Sequence, residues 1–212
     1  LLPLKGIAEK MKILLIQPQY EYSKKAKKIT AITPPISLLS LYHDAKIIDL
    51  NVHDEPNYDE YDIVGVTAMS INYQHAFKII RKAKKHNCIT VIGGIHATSL
   101  PEESLNSCPE IDVLVRGEGE ETFAELVNLF KRKIPLSENL LGKIKGISFR
   151  SDGRIVHTPN RALIHNLDTI TTYYDKVDLG DYSIAPHHAF GAKHTKPFVA
   201  YMASRGCPYN CN

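Results

Sequence analysis

Along residues 11–132, short apolar runs alternate with stretches whose apolar positions recur at helical spacing. After Lys12, Ile13-Leu14-Leu15-Ile16 is uninterrupted by polar residues and stops at Gln17-Pro18, as a strand buried on both faces does. The second run, Lys46-Ile47-Ile48-Asp49-Leu50, is reached through a helix that Pro34-Pro35 opens and Ile36, Leu39 and Tyr42 anchor. Asp62–Thr67, Ile89–Gly94 and Asp112–Gly117 supply the third, fourth and fifth strands. Between the third and fourth, Tyr73, Ala76, Phe77, Ile80 and Ala83 mark the inner face of a helix whose outer face carries Lys78, Arg81, Lys82 and Lys85. After the fifth, Phe123, Leu126, Val127 and Phe130 repeat the pattern. Glu120 and Glu121 lie at its start and Lys131, Arg132 and Lys133 at its end, the order the helix dipole favours.

Alternating strands and helices predict an α/β domain over residues 11–133. Its expected form is a doubly wound, flavodoxin-like (Rossmann-like) sheet of five parallel strands with helices on both faces. The pattern changes after Lys133. Lys145–Arg150 and Arg154–Thr158 flank Ser151-Asp152-Gly153, which predicts a β-hairpin separate from the parallel sheet. Pro159–Lys196 is irregular, with Leu167-Asp168 and Asp181-Tyr182 as isolated anchors. Residues 134–196 are therefore expected to be a hairpin and a linker packed against the flanking domains. Pro197–Ala203 is again strand-like, and residues 197–212 are expected to begin a second domain. Leu1–Lys10 are opaque, and Met11 has the look of a natural start.

In a sheet of this kind ligands bind at the carboxyl ends of the strands. Three turns fall there: Thr67-Ala68-Met69-Ser70-Ile71-Asn72, Gly93-Gly94-Ile95-His96-Ala97-Thr98 and Gly117-Glu118-Gly119-Glu120-Glu121-Thr122. Glycines at Gly93 and Gly94 allow close approach of a broad, flat ligand. Thr67, Ser70, Asn72 and Thr98 offer hydrogen bonds to neutral amides. Gly117-Glu118-Gly119-Glu120 follows the last strand instead of the first, and its glutamates would repel a pyrophosphate, so a dinucleotide site is disfavoured. The loop after the first strand lacks both the acidic pair of a phosphoacceptor and the phosphate cradle of a flavin site.

Composition narrows the class. Hydrophobic residues at 43% and charged residues at 23% over 212 residues are those of an ordinary soluble domain. No apolar run approaches a membrane span, nothing resembles a signal peptide, and a cytoplasmic location is expected. A net charge of +3 with dispersed lysine clusters predicts no nucleic-acid partner. Of the four cysteines, Cys88 and Cys108 have no partner at metal-ligand spacing. Cys207 and Cys211 stand Cys-x3-Cys in Ser204-Arg205-Gly206-Cys207-Pro208-Tyr209-Asn210-Cys211-Asn212. A third cysteine two positions beyond Asn212 would complete Cys-x3-Cys-x2-Cys, which holds three irons of a four-iron cluster and leaves the fourth open.

That run resembles the opening of a radical S-adenosylmethionine (SAM) barrel. Pro34-Pro35 with its helix, Gly93-Gly94-x-His96-Ala97-Thr98, Pro101-Glu102-Glu103 and Gly117-Glu118-Gly119-Glu120 resemble, in that order, the cobalamin-binding domain that precedes the barrel in cobalamin-dependent radical SAM enzymes. The resemblance implies cofactor contacts from Thr67, Met69, Ser70, Asn72, Gly93, Gly94, His96, Ala97, Thr98, Gly117, Glu118, Gly119 and Glu120, with His96 at the corrin rim. It implies Cys207 and Cys211 as metal ligands. The 4Fe-4S cluster and SAM would be held only by a longer protein, of which this polypeptide is expected to be the front part. Residues 17–33 lack the histidine of Asp-x-His-x-x-Gly, so any bound cobalt is expected without a protein histidine below it. The implied activity is methyl transfer or tetrapyrrole ring formation on a small molecule, together with the chain's own barrel. The alternative is a docking or substrate-gating module that has lost the cofactor.

Overall fold

The computed structural model describes residues 11–20, 33–182, 199–206 and 209. Seven strands form one sheet in the order β2-β1-β3-β4-β5-β6-β7. They are β1 (Ile13–Gln17), β2 (Lys46–Asp49), β3 (Ile63–Thr67), β4 (Ile89–Gly93), β5 (Val113–Val115), β6 (Ile147–Ser151) and β7 (Arg154–His157). The first five are parallel, with Leu15 opposite Ile47 and Gly65, and Val91 opposite Gly65 and Val113. The order 2-1-3-4-5 is the flavodoxin-like one, with its switch point between β1 and β3. An α/β fold is therefore present as the alternation predicts.

The apolar runs have no polar alternation because each strand feeds two cores. Ile13, Leu15, Ile63, Val91 and Val113 meet Leu38, Leu39, Phe123, Leu126, Val127 and Phe130 on one face. Leu14, Ile16, Val64, Val66, Ile92 and Leu114 meet Ala76, Phe77, Ile79, Ile80, Ala83 and Leu105 on the other. Each buried leucine, isoleucine or phenylalanine contributes about 1.5–3 kcal/mol. The helices supplying these residues are α1 (Ile36–Leu39), α2 (Tyr73–Lys85), α3 (Ile95–Ser99), α4 (Pro101–Ser107) and α5 (Glu120–Phe130), with α6 (Glu138–Leu141) before the hairpin. The helix expected after Pro34-Pro35 is a single turn. Helices α3 and α4, which bury few apolar residues, have no periodicity long enough to announce them.

The hairpin is not separate. β6 runs antiparallel to β5, with Val113 opposite Phe149 and Val115 opposite Ile147, and β7 forms the new edge. A three-residue β5 left at the edge would expose unpaired backbone, and the hairpin covers it. Arg116 secures the join: its Nη2 donates to the carbonyls of Ile147, at 3.1 Å, and of Thr158, and its Nη1 to Asn160 Oδ1 at 2.7 Å. Beyond the hairpin, short 3-10 turns at Leu167–Thr169, Tyr174–Lys176 and Leu179–Asp181 lead to Tyr182, which is fully buried, so the linker packs on the sheet domain. Residues 199–205 form no strand, because none of the described residues pairs with them. Cys88 and Cys108 are buried free thiols, and burial pushes Cys108 up to about 12, so neither is a poised nucleophile.

Candidate cofactor site

At the carboxyl end of the sheet lies a cavity of about 340 Å³. Leu15, Val66, Val91, Val115 and Phe123 make its apolar floor. Ile36, Ser37, Ser40 and Leu41 from and after α1 form one wall, and Leu167, Asp168, Ile170 and Thr172 from the linker form another. Tyr201, Met202, Ala203 and Arg205 also line it.

Of the residues expected to bind a cofactor, Thr67, Gly93, Gly94, Gly117, Glu118, Gly119 and Glu120 meet at this cavity. The two glycines after β4 serve different ends. A Cβ on Gly93 would come no closer than 3.7 Å to protein, at Val115 O, so the space beside it belongs to the cavity. Gly94 has φ 93° and ψ 177°, a region essentially closed to other residues, and a Cβ there would strike Ala68 O at 2.6 Å. Gly94 therefore shapes the turn, which His96 N closes by donating to Ala68 O at 3.0 Å. Gly117, at φ 74°, has nothing within 4 Å of a Cβ position.

The other expected residues do not line the cavity. Asn72 is only 1% exposed. Its Oδ1 accepts from Met69 N at 2.8 Å and its Nδ2 donates to Pro18 O at 3.3 Å, so its polar atoms fasten the β3–α2 turn to the end of β1. Ala97 is a core residue. Thr98 Oγ1 accepts from Gly117 N at 3.0 Å, tying the β4 turn to the β5 turn. His96 is 4% exposed and stacks on Tyr73 at 4.2 Å, with Nδ1 3.4 Å from Ser70 Oγ. The ring is thus buried outside the cavity lining. Met69 and Ser70 remain exposed outside the cavity. Asn72 and Thr98 thus spend their polar atoms on backbone groups of the chain itself, as strand-end turns with backbone groups to satisfy require.

Burial, partly opposed by Glu103, pushes His96 below the ordinary histidine value of 6.5, so it is neutral in the fold. The unfolded chain takes up this proton first on acidification. The contribution of a neutral His96 is thus complete above the unfolded value and is lost as pH falls through it towards the folded value. The His96→Gln protein is expected to show a shallower loss of melting temperature between pH 7.5 and 5 than the unsubstituted protein; equal slopes would remove His96 from this role.

The cavity lining carries three carboxylates, Asp168, Glu118 and Glu120, and one guanidinium, Arg205. Arg205 Nη1 lies 3.3 Å from Glu118 Oε1 and Nη2 lies 2.6 Å from Glu120 Oε1. Glu118 Oε2 accepts from Ile164 N at 2.6 Å. The glutamates expected as ligand contacts are thus engaged by the chain itself, and the acid excess disfavours a pyrophosphate. Sequence reading did not reach the α1 wall, the linker wall or Arg205; the only local signal for Arg205 is its place in Ser204-Arg205-Gly206-Cys207. Among the described residues no cluster of histidine, cysteine and carboxylate side chains could hold a metal. Cys207 and Cys211 lie outside the described residues. No helix among the described residues is long and apolar enough to cross a membrane.

A family model, the B12 binding domain, matches residues 38–127, from α1 through most of α5. This stretch is a B12-binding-domain match. The chain is 36% identical, over 95% of its length, to an uncharacterized methyltransferase of Pyrococcus horikoshii, of which it covers 44%. It is 37% identical, over 59% of its length, to an anaerobic magnesium-protoporphyrin IX monomethyl ester cyclase of Synechocystis, of which it covers 23%. The chain thus spans less than half the length of these relatives. The structure of the radical SAM methyltransferase TsrM from Kitasatospora setae, with cobalamin and a 4Fe-4S cluster bound, matches 69% of this chain and 30% of that one. Its TM-score of 0.53 at 18% identity establishes likeness of fold. The B12-binding match contains β3, β4 and β5 and parts of α1 and α5, whereas Leu15 of β1, the linker wall and residues 201–205 of the cavity lie outside it.

Proposed function

We propose that residues 11–133 hold cobalamin for a radical SAM reaction carried out with the chain's own barrel, which would begin at residues 197–212 and take its cluster ligands from Cys207 and Cys211. The observation that carries this reading is the cavity at the strand ends, apolar in its floor and free of a Cβ at Gly93 and Gly117 in its rim. The B12-binding match and the similarity to methyltransferases and a cyclase support it. A cavity of about 340 Å³ is too small for a corrin and of the right order for a bicyclic aromatic base. We therefore assign it to the cobalamin tail, released from cobalt, with the macrocycle across the rim.

Bound cobalamin would supply a cobalt centre able to carry a methyl group. The chain's own residues bind and orient it. Leu15, Val66, Val91, Val115 and Phe123 exclude water from the tail base, while Ser37, Ser40, Thr67, Thr172 and Tyr201 are the hydroxyl-bearing side chains of the lining. Buried amides or hydroxyls left unpaired would each cost roughly 1–3 kcal/mol. Three histidines of the neighbouring turns lie outside the cavity lining: His75 Nδ1 accepts from Gln19 N at 3.1 Å, His53 Nε2 lies 3.0 Å from Asp181 Oδ2, and His96 is buried against Tyr73. On this reading none of these three serves as a ligand to cobalt. Methyl transfer and ring formation on a small-molecule substrate are both within this reading, as both occur in the names of its relatives.

Titration of the protein with hydroxocobalamin, followed by absorbance and by electron paramagnetic resonance of the cobalt(II) form, tests the assignment. Saturable binding without axial nitrogen splitting is expected. Nitrogen splitting would defeat the tail and ligand assignment. No binding, even with the barrel present, would favour a cofactor-free docking or gating module.

A further inference from the structure

The segment leading to Cys207 crosses the cavity and is fastened at both ends. Tyr174 OH donates to Ala200 O at one end. Arg205 at the other places one guanidinium between two carboxylates, Glu118 and Glu120. Tyr201, Met202 and Ala203 line the cavity between these points.

The acidic end has contacts besides Arg205. Glu118 is held by Ile164 N, and Glu120 Oε1 lies 3.4 Å from Ser40 Oγ beside α1. Gly119 brings the turn flush against Leu41, since a Cβ there would stand 2.9 Å from Leu41 Cδ1. The three charged side chains are 23%, 17% and 12% exposed for Arg205, Glu118 and Glu120, so salt screens them less than a surface pair. Charge-assisted hydrogen bonds of this kind are about twice as strong as neutral ones. The hydrogen bond to Glu120, and then the charges of both glutamates, hold the guanidinium pKa above its ordinary value against the effect of burial. The span between is weakly packed by contrast, with Tyr201 80% and Met202 45% exposed. A strap held by polar contacts at its ends and by little apolar burial between them opens at low cost.

We propose that Arg205 is a positioning residue that latches residues 199–206 across the cofactor cavity. Closing the latch sets where the chain enters the Cys207 motif, and opening it lets the ligand enter and leave. The second part rests on the reading that the cavity takes the tail of cobalamin.

The test compares Arg205→Gln, Arg205→Lys and Glu118→Gln/Glu120→Gln with the unsubstituted protein, each as the full chain with its barrel. Chymotryptic cleavage after Tyr201 is expected to quicken about tenfold in Arg205→Gln, with the melting temperature unchanged, and to recover in part in Arg205→Lys. The double glutamine variant should match Arg205→Gln, and combining them should add nothing. Hydroxocobalamin is expected both to bind and to leave faster in Arg205→Gln, because a latch slows both directions. Faster release with unchanged binding would make Arg205 a simple ligand contact and overturn the latch. Unchanged cleavage after Tyr201 would overturn it whether or not cobalamin binds. If no variant binds cobalamin while cleavage quickens as expected, the latch stands and the cofactor assignment falls.

Discussion

Gly93→Leu is expected to weaken hydroxocobalamin binding more than about 100-fold, close to 3 kcal/mol, while the unfolding midpoint stays within a few degrees of the unsubstituted protein. The last residue of β4 pairs with Thr67, and its carbonyl accepts from Ala68 N at 2.8 Å, neither of which a side chain disturbs. A Cβ meets Val115 O at an ordinary 3.7 Å, and the remainder of a leucine enters the space assigned to the tail base. Gly94→Ala should behave in the opposite sense. At φ 93° and ψ 177°, with Ala68 backbone at 2.6–2.7 Å, it carries backbone strain of about 1–3 kcal/mol and an overpacking cost of similar size. It should fail by unfolding, seen as a depressed melt before any ligand is added. Normal binding by a folded Gly93→Leu protein would show that the cavity is not where the ligand sits. Gly93→Ala, smaller and compatible with the strand, should give an intermediate loss and guards against an unforeseen folding defect in the leucine variant.

Phe123→Ala is expected to destabilise the domain by about 3–5 kcal/mol in urea unfolding. The ring is fully buried on α5, packs edge-to-face with Tyr42 at 6.0 Å, and lies 3.5 Å from a Cβ position on Gly65 at the centre of the sheet. The absence of a side chain at Gly65 lets α5 approach the middle of β3, so the lost ring leaves a void that small neighbours do not fill. Phe123→Leu, which keeps most of the volume, should cost less than half as much. A loss under about 1 kcal/mol for the alanine variant would contradict the close packing of α5 on the sheet.

These two outcomes separate the residues that build the frame from those that leave room in it. Gly93 and Gly94 are adjacent and alike in sequence, and only backbone dihedrals and neighbouring atoms distinguish them. The same holds for the hydroxyl and amide residues of the turns. Thr67 reaches the cavity, whereas Asn72 and Thr98 spend their polar atoms on Pro18, Met69 and Gly117, residues distant in sequence or placed by a turn. Local composition marks such residues as hydrogen-bonding without specifying the partner, because the partner is brought in by a different element.

The five parallel strands, their order of appearance, the basic outer face of α2 and the acid-to-base polarity around α5 were all legible in residues 11–133. Each follows from a short-range rule: apolar continuity for strands covered on both faces, period 3.6 for helices, and charge at helix ends. The placement of the turns after β3, β4 and β5 at one end of the sheet was legible for the same reason. Tertiary structure alone decided that the hairpin extends the sheet through Arg116 and β5, that His96 turns inward onto Tyr73, and that the linker wall and Arg205 complete the cavity. Those features rest on contacts between residues tens of positions apart, such as Arg205 with Glu118 and Arg116 with Thr158. Their energy depends on where folding places both partners, whereas a periodic pattern acts on the chain wherever it lies.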